Sequence, residues 1–134
     1  MKQRKNRIFL CLLLVAVCFF TSCGKEKLVI PQNAVATVYL TYGDKHVDNL
    51  MLGEDKQAIF SIFSGKELYN DDLPCSFTDK ASLIIDGVHF CPATDRCNVI
   101  YVKEKNKLFK LSPKEYDLFD ELMGYYGLTY PIEE

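Results

Sequence analysis

Tryptophan is missing from this chain and histidine nearly so: 134 residues hold no Trp and two His. His46 and His89 are the only side chains whose ordinary titration falls near neutral pH, so acid–base chemistry has two places to start from. Neither lies in a His-Glu-x-x-His run, and no Gly-x-Ser-x-Gly turn occurs, which removes the zinc-protease helix and the hydrolase nucleophile elbow. No Cys-x-x-Cys is present, leaving a thioredoxin-type centre without support. Gly43, Gly53, Gly65 and Gly87 stand singly, so no phosphate-cradling loop assembles. The sequence nominates no catalytic residue and no cofactor.

Long apolar runs are scarce as well. The one that stands out, Ile8 to Phe20, is 13 residues, shorter than the ~18 or more of a spanning helix and inside the ~7–15 of a signal-peptide core. Lys2, Arg4, Lys5 and Arg7 precede it, and Thr21-Ser22 leads to Cys23. This order of basic head, apolar core and small residues before a cysteine resembles the lipobox signal of bacterial lipoproteins, with Phe20 standing where that family usually has Leu. The resemblance implies cleavage before Cys23, acylation of its thiol and new amine, and residence in the cell envelope, anchored by lipid. Gly24 in place of aspartate points to the outer membrane or cell surface rather than the inner membrane. A retained single-pass anchor over residues 8–20 and plain secretion are the competing readings. One acyl chain holds a protein only marginally, whereas two or more give a firm tether.

Without residues 1–22, 112 residues remain, enough for one domain with one core. Four of the 16 basic residues leave with the signal and none of the 18 acids do, so 12 face 18 and the net charge becomes −6. That balance argues against nucleic acid and against a broadly basic membrane-facing surface. Gly24 to Asn33 reads as the rest of a tether spanning 23–33, with the domain from 34 to 130.

Pattern then predicts an α+β domain, an antiparallel sheet of hairpins with two helices packed on one face. Ala36, Val38, Leu40 and Tyr42 alternate with Val35, Thr37, Tyr39 and Thr41, a strand signature. Gly43-Asp44-Lys45 turns the chain back through His46–Leu52. Gly53-Glu54-Asp55 opens a helix whose apolar stripe is Ala58, Ile59, Ile62 and Phe63, stopped at Gly65. Glu67 to Lys80 lacks periodicity and reads as an acidic loop. Asp86-Gly87 between Ser82–Ile85 and Val88–Cys91 is a type I′ hairpin signal, because that turn needs positive φ at both centres. Asn98–Val102 and Lys107–Leu111 make another hairpin. Ser112-Pro113-Lys114-Glu115 is a capping box with proline at the first helical position. Leu118, Phe119, Leu122, Met123 and Tyr126 follow on one face, and Gly127-Leu128 suits a Schellman ending. This order, with its Cys91-Pro92-Ala93-Thr94-Asp95-Arg96-Cys97 loop, resembles small exported bacterial lipoprotein domains; the resemblance implies a fold and no activity.

With Cys23 acylated, Cys75, Cys91 and Cys97 are the disulfide candidates, one pair and one leftover thiol being the expected arithmetic in an oxidising compartment. The five-residue spacer favours Cys91–Cys97; a pair made by Cys75 with either, or three reduced thiols, stays open. A zinc site from Cys75, His89, Cys91 and Cys97 fails the paired two-to-four-residue ligand spacing, so no metal is expected. Asp71, Asp72 and Asp79 lack the alternating glycines of a calcium loop. Tyr116, Tyr125, Tyr126 and Tyr130 read as core and rim. Two functions follow as expectations: a non-enzymatic module binding a protein or envelope ligand while held to the membrane by lipid, or a small envelope enzyme or thiol-redox factor; an inhibitor of a secreted hydrolase is a third.

Overall fold

The computed structural model describes residues 26–70 and 75–128. Cys23, the segment 1–22 and Tyr130 lie outside the described residues. Six strands form one antiparallel sheet: β1 Ala36–Tyr42, β2 Lys45–Met51, β3 Ala81–Ile85, β4 Val88–Pro92, β5 Val99–Val102 and β6 Lys107–Lys110, ordered β2-β1-β3-β4-β5-β6. Helix α1, Gly53–Phe63, and helix α2, Pro113–Tyr125, pack on one face. The expected α+β architecture is what the chain adopts.

Local chemistry explains each boundary. Asp86 and Gly87 both take positive φ, 47° and 81°, the pair of left-handed residues a two-residue hairpin turn requires. The Ser112 hydroxyl accepts from the Glu115 backbone N–H while the Glu115 carboxylate accepts from the Ser112 N–H, a complete capping box. At the other end of α2 the Leu128 N–H donates to the Met123 carbonyl and the Gly127 N–H to that of Gly124, a Schellman motif. Gly127, at φ 103°, lies against Val47, which a Cβ there would approach to 3.2 Å.

Alternation along the strands sends Ala36, Val38, Leu40, Leu83, Phe90, Ile100 and Phe109 to the helix-covered face, where they join Ile59, Phe63, Phe119 and Met123 in the core. Phe63 is central, with ring centroids 5.3 Å from Phe90, 5.0 Å from Phe109 and 5.7 Å from Phe119. Phe60, outside the predicted α1 stripe, is buried with it.

The tether ends earlier than the sequence suggests. Leu28 is 4% exposed; its N–H donates to the Lys66 carbonyl and its own carbonyl accepts from Gly65. Leu68 N–H donates to the Glu26 carbonyl. Apolar burial and backbone pairing thus draw the chain from Glu26 onward into the domain, and only residues 23–25 remain to link the predicted lipid site to it.

Candidate functional site

Because both helices lie on one side, the chemistry-bearing residues fall on the sheet's second face. The pairings Tyr39↔Ser82, Thr37↔Ile84, Ile84↔His89, Cys91↔Tyr101 and Tyr101↔Leu108 put these residues there together. The two halves of this face differ.

Over β4–β6 the face is covered by the segment preceding β3. Along the outer edge of β6, Tyr69 and Leu108 exchange backbone hydrogen bonds, 3.0 Å each way. Phe77 pairs with Ala93 and lays its ring 5.4 Å from that of Tyr101. The Thr94 N–H donates to the Ser76 carbonyl, and Cys75 joins Cys97 with Cα atoms 6.3 Å apart. The described parts of the stretch read as an acidic loop, 67–70 and 75–80, are irregular chain held against the sheet, while Asp71 and Asp72 lie outside the described residues. The signal for this was available in Leu68, Tyr69 and Phe77, apolar residues among the acids.

The pairing of Cys75 with Cys97 corrects the favoured Cys91–Cys97 link, and β-sheet register is the reason. Cys91 stands opposite Tyr101 in the β4–β5 ladder, so Cys97 lies four residues further along, on the order of 13 Å of extended chain. That exceeds the ~6.8 Å Cα reach of a disulfide. Cys91 is left as a free, buried thiol. Burial, reinforced by the charges of Asp79 and Glu104, pushes it up to about 12, so it stays protonated and unreactive at neutral pH.

Around Cys91 the polar groups are paired with one another. Lys103 Nζ donates to Asp79 Oδ2 at 2.7 Å, which holds the Asp79 carboxyl below its usual range and raises Lys103. The His89 backbone N–H donates to Glu104 Oε2 at 2.7 Å, and the His89 ring Nδ1 pairs with the other oxygen. Burial alone would raise Glu104, but these hydrogen bonds outweigh it and hold the carboxyl low. His89 is thereby committed to a carboxylate, not aimed at a nucleophile. The three-member group of Cys75, Asp95 and Cys97 is the one ligand cluster among the described residues, and its two sulfurs are used in binding each other.

Toward β1 and β2 this face is the more exposed among the described residues, although Ser82 of β3 on the same face is fully buried. Tyr39 meets His46 edge-on at 6.0 Å and accepts a hydrogen bond from Thr41 Oγ1 at 2.8 Å. Val35 continues the β1–β3 ladder, its N–H donating to Asp86 Oδ1 and its carbonyl accepting from Asp86 N–H. Continuing the β1–β2 register sets Val35 beside Leu52, next to the pair Thr37↔Leu50. Val35, Leu50 and Leu52 are 56%, 50% and 60% exposed. Three aliphatic side chains thus share one corner of the uncovered half. Sequence patterning identified the face; it did not show that this corner stays bare. Of the tyrosines near α2, Tyr125 is exposed at the rim and Tyr126 bonds Asp55.

The fold defines a class, a two-layer α+β domain with one helix-covered and one half-flapped sheet face. No family model matches the chain, and neither does any curated protein or solved structure.

Proposed function

We propose that this protein is a lipid-anchored lipoprotein of the bacterial cell envelope whose domain is a non-enzymatic binding module, its contact surface the bare half of the sheet. The observation that carries the binding reading is the exposed corner of Val35, Leu50 and Leu52: a cluster of aliphatic side chains left in water on an otherwise paired sheet is what an interaction surface looks like. The anchor rests on the ordered signal pattern ahead of Cys23. The thiol-redox reading is weakened by the chemistry of the cysteines, since two form a staple and the third is a buried thiol held protonated.

Two experiments test the parts separately. Cys23→Ala should move the protein from the membrane fraction to the soluble one; retention in the membrane would overturn the anchor. In detergent extracts of the native membrane, the chain should elute in a complex larger than itself. Leu50→Asp with Leu52→Asp should return it to monomer size, whereas unchanged elution would sink the contact surface.

A further inference from the structure

The start of the domain is clamped to one edge of the sheet. Glu26 Oε1 accepts from Lys105 Nζ at 2.8 Å and Oε2 from Lys107 Nζ, holding the carboxyl down to about 2. Its carbonyl accepts from the Leu68 N–H, and Lys27 pairs with Glu67 through the backbone as an isolated β-bridge. Lys107 opens β6, and Lys105 lies in the 3-10 turn Lys103–Lys105 just before it. Between Cys23 and Glu26 there are three Cα–Cα steps, at most about 11 Å. On the lipid-anchor reading, on which this inference rests, the acyl chains therefore attach within about 11 Å of this corner.

We infer that the anchor orients the domain, seating the β6 side of the sheet, where Tyr69 pairs along the edge strand, and the Lys103–Lys105 turn on the phospholipid headgroups and presenting β2 away from the bilayer. Five strand spacings of about 4.8 Å separate β6 from β2, about 24 Å. Charge at this corner is balanced: Lys105 and Lys107 pair with Glu26, and Lys103 with Asp79, so the lysines bring no net attraction to anionic lipid and the short link does the orienting. The bare corner of Val35, Leu50 and Leu52 lies on the β2 side, at the same end of the sheet as the Lys103–Lys105 turn but five strands across from β6, and that lateral separation keeps it clear of the lipid.

The absence of tryptophan makes the test clean. The full lipidated chain is reconstituted in phosphatidylcholine–phosphatidylglycerol vesicles with a nitroxide on a fraction of the headgroups, carrying one new indole through Val29→Trp or Asp44→Trp. Both sites are exposed, and thermal melts check that each variant is folded. The Val29→Trp chain should lose about half or more of its emission and the Asp44→Trp chain almost none, since Val29 lies three residues from Glu26 whereas β2 is about 24 Å across the sheet from β6. Adding Glu26→Gln should narrow the difference by loosening the clamp. Equal quenching in chains that float with the vesicles would overturn the orientation and leave the anchor standing. Chains that do not float at all would overturn the anchor, and the orientation with it.

Discussion

The two halves of the sheet's second face teach different lessons from the same pleat. Over β4–β6, Tyr69, Phe77 and the Cys75–Cys97 link close a flap on Cys91 and Tyr101. Over β1–β3 nothing comparable among the described residues covers Val35, Leu50 and Leu52. Burial of aromatic area and a cross-link serve stability on one side; on the other, apolar side chains remain in water with no stabilising role of their own. Substitutions should therefore separate stability from binding according to the half they fall in.

The largest effect belongs to the staple. Cys97→Ser, breaking a link across 22 residues of sequence, should cost about 3 kcal/mol of unfolding free energy by the loop-entropy estimate, read from the shift in denaturant midpoint. It should also speed alkylation of Cys91 in the folded protein; an unchanged rate would mean the flap does not guard that thiol. Phe77→Ala removes the ring over Tyr101 and should cost about 1–2 kcal/mol, measured the same way.

Alkali should probe the covered half through Cys91. The Cys91 thiol titrates near 9 in the unfolded chain and is pushed up to about 12 when folded. Its contribution is fully present below pH 9 and lost as pH climbs toward 12. Cys91→Ala should flatten the stability–pH slope over that window, checked by urea melts at a series of pH values.

Smaller effects come from the middle and the open half. Ser82 is fully buried, and its hydroxyl has no hydrogen-bond partner among the described residues. Ser82→Ala removes that desolvation cost and should be neutral to stabilising by up to about 1 kcal/mol; a loss of stability beyond that would reveal a bond the hydroxyl makes. Leu50→Asp, on the open side, should change stability by no more than about 0.5 kcal/mol.

What the sequence made legible were features written into a few adjacent residues. Asp86-Gly87, the Ser112–Glu115 box and the Gly127-Leu128 ending each state a φ requirement or a hydrogen bond within one turn of chain. Alternation in β1 assigned its two faces, because pleating has a fixed period. What stayed hidden needed contacts between distant segments. Cys75 finds Cys97 only once β4–β5 register has carried Cys97 away from Cys91, and Leu28 is buried only because Lys66 and Gly65 come to meet it. The second-face site follows the same rule. His89 lies on the β3–β4 hairpin, but its Glu104 partner comes from the turn after the neighbouring strand β5, and the exposure of the Val35 corner depends on where the covering segment stops.

The most direct test sets one residue of each half side by side, measuring thermal stability and elution of the native complex for Leu50→Asp and Phe77→Ala in the full lipidated chain. The division of the face predicts that Leu50→Asp keeps its melting temperature and loses the complex, while Phe77→Ala melts earlier and, below its own transition, keeps the complex. A Leu50→Asp chain that melts as early as Phe77→Ala, or that stays in the complex, would contradict it.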